Sequence, residues 1–500
     1  MSKPPFQRVL IANRGEIALR VIRTARELGI ESVALYSDAD RNALHVRRAD
    51  RALHIGPASP AESYLRVDRI LDAAARSGAD CVHPGYGFLS ENAAFAAACV
   101  EAGLSFIGPS ADAIRTMGDK VEARRLAAAV GVPLVPGLQD DVRDDAVLLA
   151  KAAEIGYPVM LKAAAGGGGK GIRIVATAEH LVAAARLARA EAQGAFGDDR
   201  VYLEKLVTRP RHVEVQVVGD SQGEVVAWGE RECSVQRRHQ KLVEESPSPA
   251  VDEALRRRMC EAACRLARAV GYVGAGTVEF LCSGGEFWFL EMNTRLQVEH
   301  PITELRFGID LVREQFRVAA GLPATPATAP RGHAIEVRVN AEEPDTWFPS
   351  LGTVRRLGLP GGPGVRLDSA LYRGLEVTPF YDSMLAKLVV HADDRPLAIE
   401  RAVRAIREFR IAGVTTSLPA AMRTLESAEF RSGDYDTGIL DSVDRSPPEP
   451  VVELAALAAA VGKYLATEQI IAAADRDGGA GRLPMWTIVD RVERLGRRVL

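Results

Sequence analysis

The sequence predicts an α/β (α+β) protein that combines an N-terminal parallel-sheet domain, a mobile glycine-rich lid and a C-terminal β-rich domain. Three observations support this prediction. Residues 8–12 form an apolar strand, followed by a helical stretch and a second strand at 32–36, and strands that alternate with helices build parallel sheets. A glycine run at 166–169 separates two strand-like segments. Residues 333–440 hold further strands and an amphipathic helix near 396–409.

The size and composition of the chain narrow the classes of protein to which it can belong. Its 500 residues exceed what one hydrophobic core usually organises, so we expect roughly two to four domains. With 47% hydrophobic and 26% charged residues, its composition is that of a soluble globular protein. The net charge of −3 offers no basic surface to nucleic acid or to an acidic membrane, so we expect neither as a partner. Six cysteines without a CxxC motif and the lack of an apolar leader indicate the reducing cytoplasm.

The order of these segments suggests where the domains begin and end. A proline-rich run at 446–450 reads as a linker. The tail after it has three interpretations: a helical cap, a docking segment for a partner, or a partly disordered end. The expected divisions are an N-terminal domain at 1–118, a central domain at 119–332 with a lid at about 135–206, a C-terminal domain at 333–445, and the linker and tail at 446–500.

The glycine run resembles a phosphate-binding loop but fails the test for a Walker A motif. Neither serine nor threonine follows Gly169 and Lys170, and a strand rather than a helix comes next. Four consecutive glycines leave backbone N–H groups able to wrap an anion, and they also permit a moving lid. Lys162 precedes the run and Lys170 follows it directly, which favours phosphate binding over a plain linker.

The most informative segment is a predicted hairpin in which polar residues alternate. A three-residue loop at 284–286 would place Glu279 directly opposite Glu291. Two carboxylates so placed repel each other unless a cation lies between them, and carboxylate and amide oxygens suit Mg²⁺. The alternative is a solvated strand with chance alternation. In an extended strand, five polar residues at every second position lie on one face: Glu291, Asn293, Arg295, Gln297 and Glu299.

Other polar residues lie before this hairpin in the sequence. Residues 231–241 contain four cations and several amide or hydroxyl donors, which favours an anion or phosphate pocket over a solvated basic face. Glu204 and Lys205 end another strand, where they could contact an adenine edge or form a surface ion pair. His212, Gln236 and His239 are further candidate site residues, each with weaker support when taken alone.

Lysine is scarce, which draws attention to where it occurs. Only nine of the 63 basic residues are lysines, and five of the nine stand in candidate motifs between residues 120 and 241. An ammonium group is a compact charge that suits contact with a single phosphate oxygen. These five lysines are Lys120, Lys162, Lys170, Lys205 and Lys241.

Together these motifs resemble the biotin carboxylase family within the ATP-grasp superfamily, from about Arg8 to Leu440. Several matching stretches exceed ten residues, so a chance match is negligible. The stretches that carry the resemblance are IANRGEIALR (11–20), HPGYGFLSEN (83–92), FIGPS with MGDK (106–120), GGGGKGIR (166–173), RHVEVQ (211–216), SVQRRHQKLVEESPSP (234–249), EMNTRLQVEHPITE (291–304) and YDSMLAKL (381–388).

The resemblance implies an enzyme that uses MgATP and bicarbonate to carboxylate biotin on a separate carrier domain. Metal ligands for Mg²⁺ or Mn²⁺, two ions being expected, would be Glu279, Glu291 and Asn293. Bicarbonate would meet Lys241, Arg295, Gln297 and the Val298 backbone. Glu299 would be the general base, and Arg338 would stabilise the biotin enolate with Tyr86 and Asp382 nearby. ATP would meet Lys120, Lys162, Gly166, Gly167, Gly168, Gly169, Glu204, Lys205, His212, Gln236 and His239.

The resemblance also implies partners that this chain lacks. Biotin attachment motifs centre on Met-Lys-Met, and none of the nine lysines is flanked by methionine. We therefore expect a homodimer that works with a biotin carboxyl carrier protein or domain and with a carboxyltransferase subunit. The expected complex is an acetyl- or propionyl-CoA carboxylase.

Three alternatives stay open at this point. The complex could instead carboxylate pyruvate or another oxo acid, because the missing transferase selects the acceptor. A different ATP-grasp ligase of the purine or carbamoyl-phosphate type would share the lid and the metal carboxylates. A non-catalytic scaffold subunit is the third, and an intact set of Lys241, Glu299 and Arg338 argues against it.

Overall fold

A computed structural model describes residues 6–137, 143–163, 172–238, 240–443 and 459–463, and its first five strands form a parallel sheet. The sheet order is β3-β2-β1-β4-β5, with helices between the strands. The predicted parallel-sheet domain is therefore confirmed. Its elements are β1 Arg8–Ile11, α1 Gly15–Glu27, β2 Glu31–Ser37, α2 Leu44–Arg48, β3 Arg51–Gly56, α3 Val67–Ser77, β4 Cys81–His83, α4 Ala93–Glu101 and β5 Ser105–Phe106, with 3₁₀ turns at Asp38–Asp40 and Pro60–Glu62.

The next part of the chain forms a small three-stranded sheet beside two helices. Its antiparallel order is β7-β6-β8. The predicted glycine run at 166–169 falls between β6 and β7 and lies outside the described residues. The elements are α5 Ala111–Gly118, α6 Lys120–Ala129, α7 Asp145–Ile155, β6 Val159–Ala163, β7 Ile172–Val175, α8 Ala178–Phe196 and β8 Val201–Lys205.

One antiparallel sheet of eight strands spans the rest of the described chain up to residue 443. Its order is β13-β12-β9-β10-β11-β14-β19-β17. The elements from residue 211 onward are β9 Arg211–Gly219, β10 Val225–Arg237, β11 Gln240–Ser246, α9 Glu253–Ala269, β12 Gly274–Ser283, β13 Glu286–Asn293, α10 His300–Phe307, α11 Leu311–Ala319, β14 His333–Asn340, β15 Gly352–Thr353, β16 Arg356–Gly358, β17 Val365–Ser369, β18 Glu376–Val377, β19 Met384–Ala392, α12 Arg395–Glu408, β20 Arg410–Ala412, α13 Leu418–Glu426, α14 Ala428–Ser432 and α15 Ile439–Ser442.

Strands β11, β14 and β19 have one apolar face and one charged face. Val243, Val337 and Leu388 are in register and join the hydrophobic core under α12 and α13. On the opposite face, Glu244 and Glu336 are in register and fully buried, because α10 covers that face. Side chains alternate between the faces of a strand, so this period-two pattern gathers buried charge under α10.

The β12–β13 hairpin pairs as predicted but reaches its register by a different route. Gly284 and Gly285 form a two-residue turn with φ of +60° and +79°, a conformation that favours glycine. A two-residue turn would place Glu279 opposite Leu290. The register shifts between Phe280 and Glu279, so Leu290 forms a bulge and Glu279 meets Glu291. The predicted three-residue loop is therefore wrong, whereas the predicted pair is present.

The predicted strand through residue 299 is also wrong. Strand β13 ends at Asn293, and α10 begins at His300. Between them the chain turns so that Leu296 is fully buried and Arg295 reaches Glu91. Pro301 in the first turn of α10 favours helix there because its ring fixes φ. Burial and proline together override the alternating pattern.

The chain divides into two units, Met1–Val443 and Asp444–Leu500. In the second unit residues 459–463 are helical, and the other predictions for the tail at 446–500 fall outside the described residues. Among the described helices, none is long and apolar enough to cross a membrane. The expected domain boundaries stay predictions.

Candidate active site

Lys241, the second residue of β11, is the centre of the buried charge. Its ammonium nitrogen lies 2.7 Å from Glu214 Oε2, 3.2 Å from Glu279 Oε1 and 2.5 Å from Glu299 Oε1. Burial opposes its charge, but Cys233 and the three surrounding carboxyl groups, led by Glu214, raise its pKa well above the ordinary value. Lys241 is therefore a permanent cation that holds three acidic side chains together.

Glu299 lies immediately before α10 and is held between two cations. Its Oε1 accepts from Lys241, and its Oε2 lies 3.0 Å from Arg338 Nη2. Arg338 also lies 2.5 Å from Glu244 Oε1, which fixes the guanidinium on the charged face of β14. Burial opposes ionisation of Glu299, yet Lys241 and Arg338 hold its pKa well below the ordinary value. A carboxylate so placed is ionised and can accept a proton once a substrate replaces one of its cation contacts.

Glu279 is surrounded by donors from three directions. His212 Nε2 lies 2.9 Å from its Oε2, while the amides of Asn293 and Gln297 donate to Oε1 at 2.9 Å and 3.2 Å. Burial opposes ionisation, but Lys241 and His212 lower the pKa of Glu279. Gln236 Nε2 lies 3.3 Å from His212 Nδ1, which connects two of the weaker sequence signals to the same carboxylate.

The pair of Glu279 and Glu291 fits a divalent cation. Burial and the negative charge of Glu279 raise the pKa of Glu291, with opposing effects from Lys120 and His212. A divalent ion between the two carboxylates would offset this repulsion, and hard oxygen donors suit Mg²⁺. Asn293 fits less well, because its amide oxygen accepts from Arg295 Nη2 at 3.1 Å.

Within the described chain, two further clusters of three side chains have ligand atoms close enough together to hold a metal ion. They are His212 with Glu214 and Glu279, and Glu214 with Cys233 and Glu299. The ammonium group of Lys241 contacts carboxylates of both groups. A lysine cation therefore already balances the charge that a metal would neutralise there.

Arg295 is oriented by a carboxylate that the sequence analysis did not single out. Its Nε lies 2.8 Å from Glu91 Oε2, and its Nη1 donates to Gln297 Oε1 at 3.1 Å. Glu91 also accepts from the Thr294 backbone at 3.0 Å. Glu91 stands in the HPGYGFLSEN stretch, so membership of that stretch was the available signal. Arg295 and Gln297 are brought together beside Lys241 and Glu279.

Among the predicted nucleotide residues, Lys162 and Glu204 form a second cluster, whereas His212 and Gln236 belong to the surroundings of Glu279. Lys162 Nζ lies 2.5 Å from Glu204 Oε2, and Arg124 Nη1 lies 2.6 Å from Oε1. The ammonium of Lys205 donates to the carbonyl oxygens of Gly156 and Tyr157. Lys120 begins α6 and is close enough to act on the charge of Glu291. Of the predicted ATP residues, Gly166, Gly167, Gly168, Gly169 and His239 lie outside the described residues.

The predicted biotin residues differ in accessibility. Arg338 is largely buried, whereas Asp382 is exposed and its carboxylate accepts from Met384 N at 2.9 Å. Asp382 precedes β19, which pairs with the strand that carries Arg338. The ring of Tyr86 lies 5.7 Å from the ammonium nitrogen of Lys387, whose strand position is opposite Arg338.

Arg231 corrects the interpretation of the basic run as a wholly anion-binding segment. It is fully buried, and its guanidinium bonds to Glu214 at 2.6 Å and Gln216 at 2.7 Å. Two further bonds reach the hydroxyls of Thr303 and Thr277. Arg231 therefore fixes Glu214 for Lys241 instead of facing a substrate. Its neighbours in sequence could not show this, because every partner comes from another strand or helix.

Comparison with known proteins gives three family matches along the chain. Residues 5–114 match the biotin carboxylase N-terminal domain, residues 119–325 the ATP binding domain of the carbamoyl-phosphate synthase L chain, and residues 336–442 the biotin carboxylase C-terminal domain. Together the three matches cover most of the first unit, Met1–Val443.

Individual relatives match this chain over nearly their whole length. Biotin carboxylase 1 of Bacillus subtilis is 50% identical over 88% of this chain and 99% of its own. A pyruvate carboxylase subunit from Methanothermobacter thermautotrophicus is 48% identical over 92% of this chain and 99% of its own. The biotin carboxylase domain dimer of Hydrogenobacter thermophilus 2-oxoglutarate carboxylase, solved with MgADP, ADP and bicarbonate, matches at 44% identity with a TM-score of 0.82, over 88% and 99% of the two chains.

Proposed function

Because the chain belongs to the biotin carboxylase family of ATP-dependent ligases, we propose that it carboxylates biotin carried on a separate protein or domain. The observation that carries this proposal is Glu299, held 2.5 Å from Lys241 and 3.0 Å from Arg338. One carboxylate between two cations suits a base that must act on a bound oxyanion, because the cations offset the charge of that anion.

In the proposed first step, Glu299 accepts the proton of bicarbonate while a bicarbonate oxygen attacks the γ-phosphorus of ATP. ADP leaves and carboxyphosphate forms. Lys241, Arg295 and Gln297 bind the anion, and Glu91 holds Arg295 in place. Magnesium, when bound by Glu279 and Glu291, supplies charge neutralisation at the phosphates. Lys162 would contact the nucleotide after exchanging its contact with Glu204 for phosphate.

In the proposed second step, carboxyphosphate breaks down to CO₂ and phosphate, and phosphate takes the proton from the ureido nitrogen of biotin. Arg338 stabilises the negative charge on the ureido oxygen. The nitrogen then attacks CO₂ to form carboxybiotin. Arg338 contacts both Glu299 and Glu244, so this cation lies next to the residue proposed as the base of the first step.

The same proposal extends to the metal and the assembly. Either Mg²⁺ or Mn²⁺, with two ions, would serve the paired carboxylates. The Hydrogenobacter structure, a dimer with MgADP and bicarbonate, supports a homodimer, magnesium and bicarbonate for this chain. A biotin carrier protein and a carboxyltransferase complete the proposed complex.

The acceptor of the complex has two candidates. One is an acyl-CoA, acetyl- or propionyl-CoA, which the family resemblance of the sequence implies. An oxo acid is favoured by the matches to the Methanothermobacter pyruvate carboxylase and to 2-oxoglutarate carboxylase. Isolation of the transferase that copurifies with this chain, followed by assay on acetyl-CoA, propionyl-CoA, pyruvate and 2-oxoglutarate, distinguishes them.

We predict that the purified protein hydrolyses ATP only when bicarbonate is present, and faster when free biotin is added. The reason is that the γ-phosphate has no acceptor until bicarbonate occupies the subsite beside Glu299. Phosphate release is measured with bicarbonate removed by degassing and then restored. ATP turnover that is indifferent to bicarbonate would overturn the proposal.

A further inference from the structure

Lys387 is a fully buried lysine that the proposed chemistry does not use. It lies in β19, and its ammonium nitrogen donates to the carbonyl oxygen of Val298 at 2.8 Å. Glu16 Oε2, from the start of α1, lies 3.5 Å away, and the ring of Tyr86 lies 5.7 Å away. Three distant parts of the sequence therefore meet at this one ammonium group.

The Val298 carbonyl belongs to a turn that has no strand or helix to hold it. Its backbone hydrogen bonds, from His300 N to Gln297 O and from Ile302 N to Glu299 O, are both 3.3 Å long, and two side chains bind its carbonyl groups in addition. Gln297 O accepts from the His300 ring at 2.7 Å, with the ring nitrogen as donor, and Val298 O accepts from Lys387. The pKa of His300 is held well below its ordinary value by burial and then by nearby cations, so the neutral ring carries its proton toward Gln297.

The orientation of this turn decides where two proposed bicarbonate groups point. A peptide unit is planar and trans, so its N–H points opposite to its carbonyl group. When Lys387 holds the Val298 carbonyl, the N–H of Glu299 faces away from Lys387. Among the described residues, no oxygen accepts from the backbone N–H of Val298 or Glu299. The held peptide joins Val298 to Glu299, and Gln297 lies one residue before it.

Two distances show whether Lys387 mainly binds the Val298 carbonyl or mainly forms an ion pair with Glu16. The contact to Val298 O, at 2.8 Å, is an ordinary hydrogen bond, whereas the contact to Glu16 Oε2, at 3.5 Å, is long for one. Burial raises the pKa of Glu16 to about 7 in spite of Lys387, so Glu16 is a weak counter-charge near neutral pH. The carbonyl is the better partner of the ammonium group.

We propose that Lys387 is a positioning residue for the bicarbonate subsite, because it holds the Val298 carbonyl and so orients the turn from Gln297 to Glu299. This inference rests on the proposed function of that site. Lys387 does not touch the substrate. Its effect reaches bicarbonate through the peptide between Val298 and Glu299, and it does not extend to the nucleotide cluster around Glu204.

The test compares bicarbonate kinetics with nucleotide binding in Lys387→Met. We expect KM for bicarbonate to rise about tenfold or more, the size of effect that loss of a charged hydrogen bond produces, while Kd for MgATP changes less than about twofold. Kd is measured by calorimetric titration with MgATP in bicarbonate-free buffer. If Lys387→Met does not fold, Lys387→Gln, whose shorter amide cannot span the same distance, is measured in the same way with the same expectation.

Two matched variants separate positioning from general damage. Arg395→Met removes a partly buried cation that pairs with Glu245 and also donates to backbone carbonyls, those of Phe430 at 2.6 Å and Arg431 at 2.9 Å. It should lower the melting temperature and leave KM for bicarbonate unchanged. Glu16→Gln removes the ion-pair partner but keeps the bond to Val298, so its KM should also stay unchanged.

The inference is overturned if the Lys387 variant keeps the wild-type KM for bicarbonate, or if Glu16→Gln or Arg395→Met raises it equally. These results differ from failure of the proposed function itself. That failure would appear in the wild-type protein, as ATP turnover without any dependence on bicarbonate.

Discussion

Glu299 has to be both charged and reactive, and its surroundings explain how. The side chain is fully buried, which by itself would favour the protonated acid. Lys241 and Arg338 reverse that preference and hold its pKa well below the ordinary value. The carboxylate is therefore ionised at every pH above that lowered value, and it protonates only as the pH falls through it. If activity falls as the pH is lowered through neutrality, protonation of a group other than Glu299 should be the cause.

Replacing Glu299 by glutamine should abolish most of the turnover and spare nucleotide binding. Because glutamine cannot accept the bicarbonate proton, we expect kcat/KM for bicarbonate to fall about 10²- to 10⁴-fold. MgATP should bind as before, since Glu299 is not among its proposed contacts. The measurement is steady-state ATP hydrolysis with biotin, together with calorimetric titration of MgATP.

A matched control for this variant is Glu230→Gln, which alters another buried carboxylate, 2.7 Å from Arg256. The control should reduce stability and retain the wild-type dependence on bicarbonate. Equal rates for Glu299→Gln and the wild-type enzyme would rule out Glu299 as the base.

Among the elements, the β12–β13 hairpin shows how a small irregularity positions the metal carboxylates. Phe289 and Met292 both face the core, although they are three residues apart. A regular strand would put them on opposite faces. The bulge at Leu290 allows both to be buried and sets Glu291 opposite Glu279. The pair was predicted from a three-residue loop that is absent, and the bulge supplies the same offset. The bulge itself could not be seen in the sequence, because bulges depend on the partner strand.

Deletion of Leu290 should leave the carboxylate pair intact. Removing the bulged residue makes Glu291 follow Phe289 directly, which keeps Phe289 opposite Phe280 and Glu291 opposite Glu279. We expect a folded protein with Mg²⁺-dependent ATP turnover. Urea unfolding and a titration of activity with Mg²⁺ provide the measurements.

Deletion of Trp288 is the comparison, because it lies on the turn side of the bulge. If the turn stays as it is and Glu291 stays opposite Glu279, the shortened strand pairs Phe289 with Leu281 instead of Phe280. The Phe289 side chain then points away from the core. That loss should cost about 3 kcal/mol of unfolding free energy. Equal stability of the two deletions would contradict the role assigned to the bulge.

At the scale of the whole molecule, buried ion pairs join elements that are far apart in sequence. Glu304 of α10 lies 2.7 Å from Arg20 of α1 and 2.7 Å from Arg366 of β17. Burial opposes its ionisation, yet Arg20 and Arg366 lower the pKa of Glu304. A depressed carboxyl pKa stabilises the fold above the ordinary pKa near 4.5, and this stabilisation is lost as the pH falls through the folded-state value.

Glu304→Gln should therefore destabilise the protein by about 2 kcal/mol at pH 7, because buried Arg20 and partly buried Arg366 each lose one of their two carboxylate partners. The difference from wild type should shrink on acidification. Urea unfolding at pH 7 and at pH values below about 4 measures both effects. Glu400→Gln breaks an exposed pair with Arg431 and should change the unfolding free energy by less than about 1 kcal/mol. A difference that grows on acidification would contradict the assignment.

The sequence by itself determined the fold class and the family, because the succession of strands and helices and the long motifs carry that information, whereas the pairing of Glu279 with Glu291 depends on the bulge at Leu290. Only the tertiary structure decided that Arg231 is buried, that Glu91 holds Arg295, and that Lys387 holds Val298. These contacts join residues between 15 and 204 positions apart, and only the folded chain brings them together. Burial then makes each charge depend on neighbours that sequence spacing does not specify.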